Sequence, residues 1–369
     1  MMQILTINPG STSTKIALFA NETKIFATTV VHDAGKLATF PRVWDQLDYR
    51  METILAVCEE QKVDLDRCDA FVGRGGGLNP CRAGTYEVND MVIRHAGRNG
   101  GYHPCALGCV IARNFADRYH ARAFIVNSPD VDEYCDEAHM TGLAGLYKTF
   151  TSHVLNQKET ARRVAEDLGK TYESCNLIVC HLGGGVSVAA HQNGRMLDTN
   201  GAINGEGPMA PTRSGALPAM DVIEECFSGK YTKEEMKLRI TKFGGVVDHL
   251  GTSEMRDVCT MIENGNHYAA LVYSTFIYQI AKEVGAMAAV LHGNVDAIVL
   301  TGGIAHDEEL CQRLGEMVGF IAPIIIRPGE YEMEALCHGG LQVLLGLETP
   351  AQYDGVSVFQ GFESLKPQA

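Results

Sequence analysis

The chain has 369 residues, more than one hydrophobic core usually organises, so its length predicts two domains with a ligand cleft between them. Its 46% hydrophobic and 21% charged residues are typical of a packed globular protein and argue against a disordered interaction protein. The formal net charge of −14 argues against nucleic acid or an anionic membrane as a partner, so an anionic ligand requires locally placed cations.

The predicted elements alternate between strands and helices, which indicates a mixed α/β class. Helices are predicted at 49–62, from the helical spacing of its apolar residues, and at 157–168, which ends at Gly169. Runs rich in Ile, Val, Leu and Phe predict strands at 3–7, 14–20, 24–30, 69–73, 122–126, 176–181, 186–191, 295–300 and 321–326.

Two features bear on the compartment of the protein. The chain begins with a strand-like QILTI rather than a basic segment, and Lys282 and Glu283 interrupt the apolar stretch 269–293, so we expect neither a signal peptide nor a transmembrane helix. The twelve cysteines form no C-x-x-C pair, which favours reduced thiols in a cytoplasmic protein. Cys105 and Cys109 lack partners at zinc-site spacing, so no zinc site is predicted.

An internal repeat is the main clue to the domain organisation. ILTINPGSTSTKIALF, near residue 4, and LIVCHLGGGVSVAAHQNG, near residue 177, each read as strand, small-residue turn and strand. The copies lie close to half the chain apart, which predicts a duplicated protein, although two unrelated hairpins would give the same pattern. We expect one domain at 1–155, joined by a C-terminal helix at about 340–369, and a second at 156–339.

The turn of the first copy has the composition of a phosphate cradle. Its small and hydroxyl residues would let backbone N–H groups approach an oxyanion, although an ordinary hairpin is the alternative. It is not a Walker A loop, because G-x-x-x-x-G-K-[ST] is absent from the chain and a strand follows the turn. The candidate phosphate contacts are Ser11, Thr12, Ser13 and Lys15.

Two further clusters lie in the second half. Gly183, Gly184 and Gly185 follow His181, whose imidazole could donate to a phosphoryl oxygen at the exit of a strand. Gly302 and Gly303 end the buried strand near 296–301, where a flat aromatic ring such as adenine could lie against the backbone. Taken singly, a structural histidine and an ordinary strand-to-helix turn are the more common explanations of these clusters.

In this order, the three clusters resemble the first phosphate, second phosphate and adenosine motifs of the superfamily of acetate and sugar kinases, heat-shock proteins and actin. Within it the chain resembles the acetokinase family, and the butyrate kinases in particular, from residue 4 to about 345. The resemblance implies an α/β, duplicated actin-like ATPase (ribonuclease H-like) fold of two domains with an interdomain cleft, and an adenosine site in the second domain. The segments that carry it are INPGSTSTK, VGRGGGLNPCRAGTYEVND, LNQKETARR, HLGGGVSV, NGEGPMAPTRSGALP, LTGGIAHD and PGEYEMEAL.

The resemblance also implies roles for single residues. The asparagine that contacts phosphate and substrate in the family corresponds to Asn8, and the two arginines that hold the carboxylate correspond to Arg74 and Arg213. His103 and His181 match the two histidines that donate to the phosphoryl group. Solvated loop arginines and a polar residue near a helix start are the simpler alternatives for each position alone.

A metal-associated glutamate of the family matches the cluster Glu330, Glu332 and Glu334, with Glu332 as the preferred member. One position departs from the family, since Asn127 stands where an aspartate is usual. A fatty acid is already ionised at neutral pH, so this position is interpreted as a positioning or metal-binding site rather than a general base. The amide oxygen of Asn127 or the nearby carboxylate of Asp130 would then contribute to the metal site.

The activity implied is the reversible, ATP-dependent phosphorylation of a short-chain fatty acid with Mg²⁺, by direct in-line transfer, with butyrate as the best single acid. Acetate, propionate or a branched acid is an open alternative, because one methylene is worth only about 1–3 kcal/mol of discrimination. An ATP-binding relative with weakened catalysis, because of Asn127, is another. The family also implies a homodimer or a larger homo-oligomer in the cytoplasm.

Overall fold

A computed structural model of the protein describes residues 1–101 and 103–365, and its contacts divide the chain into two units. Unit 1 contains Met1–Asp132 and Tyr331–Ala369, and unit 2 contains Glu133–Glu330. The boundaries therefore differ from the expected 155/156 and 339/340. The segment from 133 belongs to unit 2 because Tyr134 donates from its hydroxyl to the Thr199 carbonyl, at 2.7 Å.

Unit 1 is built on a six-stranded mixed sheet in the order β3-β2-β1-β4-β6-β5. The first three strands pair antiparallel, β1, β4 and β6 run parallel, and β5 adds an antiparallel edge beside β6. The strands are β1 (Gln3–Pro9), β2 (Ser13–Ala20), β3 (Thr23–Val31), β4 (Ala70–Gly73), β5 (Thr85–Glu87) and β6 (Arg122–Val126).

Unit 2 repeats this topology in a five-stranded sheet. Its order, β9-β8-β7-β10-β11, follows that of β3-β2-β1-β4-β6, with the same antiparallel and parallel pairs. The strands are β7 (Leu177–Leu182), β8 (Val186–Gln192), β9 (Arg195–Thr199), β10 (Ala297–Gly302) and β11 (Ile324–Pro328). The internal repeat in the sequence is thus a structural duplication.

Helices cover these sheets. Every residue of β7 and β10 is buried, as their mainly apolar sequences predict for central strands of a covered sheet. No helix in the described part of the chain is long and apolar enough to cross a membrane. The helices are α1 (Ala34–Ala38), α2 (Leu47–Glu60), α3 (Asp90–Ala96), α4 (Leu107–Tyr119), α5 (Asp136–His139), α6 (Val154–Asp167), α7 (Ala219–Phe227), α8 (Lys233–Thr241), α9 (Val246–Leu250), α10 (Met255–Glu263), α11 (His267–Val290), α12 (Glu308–Val318) and α13 (Glu332–Leu344).

All nine predicted strands have a counterpart in the structure, and one of them is displaced. The strand expected at 321–326 begins at Ile324 because Ile321 donates from its backbone N–H to the Val318 carbonyl, which keeps this segment in a turn after α12. The edge strands β5 and β9 were not predicted. Only three residues of β5 pair with β6. Local apolar patterns therefore indicate the central strands well and a short edge strand poorly.

Candidate active-site residues of the two units

Three predicted residues of unit 1 meet at one carboxylate. Asn8 lies near the end of β1, Arg74 directly follows β4, and Glu332 is the first residue of α13. The Asn8 amide donates to Glu332 Oε2 and the Arg74 guanidinium donates to Glu332 Oε1, each at 2.5 Å. Glu332 is only 7% exposed. Residues from three separate sequence motifs thus form one buried polar cluster, which we call the carboxylate cluster.

The neighbouring glutamates lie elsewhere. Glu334 forms an ion pair with Lys24 at the surface of unit 1. Glu330 belongs to unit 2, where its Oε1 lies 3.9 Å from His181 Nε2. Of the three candidates, Glu332 is therefore the one that joins Asn8 and Arg74.

Two glycines set the position of Arg74. A Cβ added at Gly73 would lie 2.0 Å from the Gly108 carbonyl oxygen, and one added at Gly108 would lie 2.4 Å from the Arg74 carbonyl oxygen. Strand β4 and the start of α4 therefore touch backbone to backbone, which only glycine permits at both positions. The backbone N–H of Arg74 also donates to the Ile7 carbonyl at 2.9 Å, so the arginine is fixed beside the end of β1.

Cys105 lies near the carboxylate cluster, and His103 precedes it by two residues. His103 caps the short helical turn Pro104–Ala106, and its Nδ1 accepts from the Cys105 N–H at 3.2 Å, which leaves the imidazole proton of a neutral ring at Nε2. Burial raises the pKa of the Cys105 thiol to about 11, with Arg74 opposing the shift and Glu332 adding to it. His103 thus presents an Nε2–H donor next to a residue with a buried, protonated thiol.

Asn127 and Asp130 hold loops in unit 1. Asn127 has a left-handed backbone, with φ of +41°, and exchanges hydrogen bonds with Gly84: its Oδ1 accepts from the Gly84 N–H at 2.9 Å, and its N–H donates to the Gly84 carbonyl at 3.0 Å. The Asp130 carboxylate accepts from the Ser128 hydroxyl at 2.6 Å, and burial raises its pKa. Both side chains already bind protein groups, so a metal-binding role for either stays a prediction.

The first predicted phosphate turn is a tight hairpin. The Gly10 N–H donates to the Ser13 carbonyl at 2.7 Å, and Ser11 and Thr12 at the tip are exposed. Its carbonyl oxygens are held from the protein interior by Arg50, which was not among the predicted site residues. Arg50 shares the buried face of α2 with Ile54 and Cys58, and an arginine at that spacing was the signal in the sequence.

His181 is the central residue of the candidate site in unit 2, and it is only 3% exposed. The fully buried Asn156 donates from its amide to His181 Nδ1 at 2.9 Å, so a neutral His181 carries its proton on Nε2. A Cβ added at Gly183 would lie 3.1 Å from that Nε2, so the imidazole points at the glycine turn. A neutral His181 therefore directs an N–H donor at the second hairpin, the turn of residues 183–185 between β7 and β8.

Polar side chains of α6 and its neighbours support His181. His153 stacks on the imidazole, with ring centroids 3.9 Å apart, and its Nδ1 lies 2.8 Å from the Ser187 hydroxyl. Gln157 donates to the same hydroxyl at 2.7 Å and accepts from His191 Nε2 at 3.0 Å. Burial and the charge of Lys158 lower the pKa of His191 to about 3, which keeps it neutral. The LNQKETARR segment, which had no assigned role, supplies this support.

Arg213 lies against the second hairpin. A Cβ on Gly185 would lie 1.8 Å from Arg213 Nη1, so the guanidinium occupies the space that a side chain would fill. The same Nη1 donates to the Ala202 carbonyl at 2.7 Å, and burial lowers the pKa of Arg213. Thr212 also donates to the Gly184 carbonyl at 3.0 Å. The predicted arginine and the predicted glycine turn are therefore in direct contact.

A cavity of about 670 Å³ in unit 2 joins two predicted motifs, since Gly183 and Gly184 line it together with Gly303. Gly302 has φ of +92°, and a Cβ there would lie 2.3 Å from the Leu182 carbonyl oxygen, so the strand can turn only at glycine. A Cβ on Gly303, by contrast, would meet nothing within 4 Å. The second hairpin and the Thr-Gly-Gly turn thus share one cavity large enough for a nucleoside.

The Glu332 carboxylate is a suitable oxygen ligand for Mg²⁺. Each oxygen of the Glu332 carboxylate accepts one hydrogen bond, which leaves a lone pair on each for a metal-bound water. Mg²⁺ usually takes one or two protein carboxylates and completes its shell with water and phosphate oxygens. Across residues 1–101 and 103–365, no group of three His, Cys, Asp or Glu side chains forms a dedicated metal site.

Comparison with known proteins matches both the sequence of unit 2 and the fold of both units. Residues 145–320 match the model of the Acetokinase family. Acetate kinase from Porphyromonas gingivalis is similar in structure, with a TM-score of 0.74, 20% identity, and coverage of 94% of this chain and 100% of that one.

Two further solved structures have the same fold. Propionate kinase from Francisella tularensis subsp. tularensis SCHU S4 matches with a TM-score of 0.72 and 18% identity over 92% of this chain and 99% of that one. A ROK family protein from Streptococcus pneumoniae TIGR4 matches with a TM-score of 0.50 and 12% identity over 94% and 100%. The expected duplicated actin-like ATPase fold is confirmed: residues 145–320 carry the sequence pattern of the Acetokinase family, within a chain that has the two-unit fold of acetate and propionate kinases.

Proposed function

We propose that the protein is a carboxylate phosphotransferase that moves the γ-phosphoryl group of ATP reversibly to a short-chain fatty acid, with butyrate as the preferred acid. The observation that carries the proposal is the carboxylate cluster, in which Asn8 and Arg74 converge on Glu332 from widely separated parts of the chain. Acid kinases among the structures of the same fold, which act on acetate and propionate by their titles, support the substrate class.

The nucleotide would bind to unit 2 through its cavity. Gly302 and Gly303 would leave the backbone open to the adenosine, while Gly183, Gly184 and Gly185 would approach the phosphates. The tip of the first hairpin, with Ser11, Thr12 and Ser13 followed by Lys15, would offer hydroxyl and N–H donors to phosphate oxygens. Every contact proposed here uses a backbone or side-chain donor, as a polyanion requires.

The chemistry needs positioned positive charge rather than a base. A carboxylate oxygen attacks the γ-phosphorus, the bond from that phosphorus to the ADP oxygen breaks, and ADP leaves as an anion, so no proton is transferred. Arg74 would hold the carboxylate of the acid with its planar fork, and Arg213 would neutralise the equatorial oxygens of the phosphoryl group. His103 and His181 would each donate from Nε2.

When bound, Mg²⁺ would neutralise charge on the β- and γ-phosphates, and Glu332 would hold it through water. Asn127 or Asp130 would add an oxygen only by sharing one that already accepts a hydrogen bond within unit 1. An enzyme without the usual aspartate at this position is chemically reasonable, because the acid is already ionised.

Hydroxylamine trapping tests the proposal. Purified protein is incubated with ATP, Mg²⁺ and each straight or branched acid of two to five carbons, and the acyl phosphate is measured as its hydroxamate. We expect product with all short acids and the highest kcat/KM with butyrate. Arg74→Lys keeps the positive charge but loses the planar fork of the guanidinium, so its kcat/KM should be about 10–100-fold lower than that of the wild type. Absence of product above a boiled control, for every acid, would refute the activity.

A preference for acetate, propionate or a branched acid would leave the activity standing and correct only the substrate. Assembly into a homodimer or a larger homo-oligomer also stays a prediction. Light scattering of the purified protein would test it, and a monomer at assay concentration would contradict it.

A further inference from the structure

Arg50 is a fully buried arginine behind the first hairpin, with 0% exposure. Its guanidinium donates to the carbonyl oxygens of Gly10 at 3.0 Å and Ser13 at 3.3 Å, and to the Thr14 hydroxyl at 3.0 Å. The remaining Nε–H donates to the Gln46 side chain at 3.0 Å. The Arg50 side chain therefore binds both ends of the turn from the protein interior.

The charge of Arg50 has no acidic partner within the described residues, since every acceptor around it is a neutral oxygen. Burial lowers its pKa to about 10, so the guanidinium stays protonated at neutral pH. The adjacent His32 is neutral, because burial and the Arg50 charge lower its pKa to about 4. A buried arginine without a carboxylate is costly, so an isolated positive charge at this place requires an explanation.

The geometry of the peptide bonds in the first hairpin explains why a positive charge lies there. In a planar trans peptide the C=O and the following N–H point in opposite directions. The Gly10 carbonyl points inward to Arg50, so the Ser11 N–H points outward, and the weaker contact of the Ser11 carbonyl with Arg50, at 3.4 Å, directs the Thr12 N–H the same way. Ser11 and Thr12 form the exposed tip. Successive outward N–H groups make an anion-binding concavity.

We propose that Arg50 is the positioning residue of the first hairpin: it turns the carbonyls inward and the N–H groups outward, and it places an uncompensated positive charge behind an anion bound at Ser11 and Thr12. Arg50 does not touch the ligand. The anion is a phosphate group, and its identity as a phosphate of ATP rests on the proposed function.

The test compares Arg50→Gln and Arg50→Lys with Ile54→Ala. The control removes volume from a fully buried residue one turn further along the same face of α2, without changing charge. Inorganic phosphate is the probe, and the readout is the rise in melting temperature that it produces over chloride at equal ionic strength. The KM for ATP in the hydroxamate assay is the second readout.

We expect Arg50→Gln to lose most of the phosphate-induced rise and to increase the KM for ATP by about tenfold, the effect of one charge-assisted interaction. Arg50→Lys, which keeps a charge but not the fork, should lie between Arg50→Gln and the wild type. Ile54→Ala should melt at a lower temperature in chloride and keep its phosphate response.

A proportional loss of the phosphate response in Arg50→Gln and Ile54→Ala would make Arg50 a purely structural residue and overturn the inference. If Arg50→Gln does not fold, Arg50→Lys decides, and wild-type values of both readouts in that variant overturn it as well. No phosphate response in the wild type would also overturn it. A wild-type protein that responds to phosphate through Arg50 but forms no acyl phosphate would refute the proposed function and leave the inference standing.

Discussion

The hydrogen bond from Asn156 to His181 Nδ1 determines which imidazole nitrogen carries the proton of a neutral ring, and Asn156→Asp is designed to reverse the direction of that hydrogen bond. In the wild type the amide donates to Nδ1, so the neutral ring keeps its proton on Nε2. A carboxylate at position 156 only accepts, so it requires a proton on Nδ1 instead. The introduced negative charge also favours the charged form of the ring.

We therefore expect the kcat of Asn156→Asp to depend on pH in a way that the kcat of the wild type does not. At low pH the ring of the variant would be an imidazolium with protons on both nitrogens, and Nε2 would still be able to donate to the phosphoryl group of the proposed reaction. Once the ring loses a proton at higher pH, the remaining proton would stay on Nδ1 beside the introduced carboxylate, and Nε2 would present a lone pair to the bound anion. Loss of a hydrogen bond to a charged group costs about 1.5–3 kcal/mol, which is about 10–150-fold in kcat.

The assay is the pH profile of kcat by hydroxamate formation, measured for the wild type, Asn156→Asp and a control. Gln157→Glu is the matched control, since it places a carboxylate at the next position of α6 on a residue that contacts Ser187 and His191. We expect both variants to lose stability, and only Asn156→Asp to lose activity with rising pH. An alkaline limb that is equal in both variants, or absent from both, would refute the assigned tautomer.

Other changes test single contacts. Arg74→Met should destabilise the protein by about 3–5 kcal/mol in urea, because Glu332 is left buried without its cation, and adding Glu332→Gln should recover part of the loss. Gly108→Ala should cost about 1–3 kcal/mol and reduce activity, since its Cβ would overlap the Arg74 carbonyl, whereas Gly285→Ala, in open space on α11, should stabilise by about 0.5–1 kcal/mol. Thr160→Val should not destabilise, and should gain up to about 1 kcal/mol, because no described residue bonds the buried Thr160 hydroxyl. The opposite sign in urea denaturation would contradict the reasoning in each case.

The sequence predicted what depends on local pattern. The two hairpins could be predicted because apolar strands flank each turn in the sequence. In the structure, both sheets repeat one strand order. Glu332 was preferred within its acidic cluster, and it is the member that Asn8 and Arg74 contact. The motifs in the sequence therefore indicated which polar residues meet in unit 1, and the roles of these residues in an active site stay predictions.

Residues that act through distant partners were not predicted. Arg50 binds atoms from Gly10 to Thr14, some forty residues earlier in the chain, so no window around α2 contains its acceptors. Asn156 was missed for the same reason, because its hydrogen-bond partner His181 lies on β7, outside any sequence window around α6. Burial of a polar side chain is decided by tertiary packing, and a sequence shows only that a polar residue occupies an otherwise apolar face.

The two hairpins show how one duplicated element came to be supported in two different ways. In unit 1 the turn relies on hydroxyl residues and on the charge of Arg50 behind its carbonyls. In unit 2 the turn relies on glycines, with the His181 imidazole directed at Gly183 and with Arg213 packed on Gly185. A buried charge is screened little by salt, whereas an exposed one is screened strongly. Phosphate binding at the first hairpin should therefore persist at ionic strengths that abolish binding by surface cations. A phosphate response that disappears at moderate salt would argue that cations nearer the solvent, such as the half-buried Lys15, supply the charge rather than Arg50.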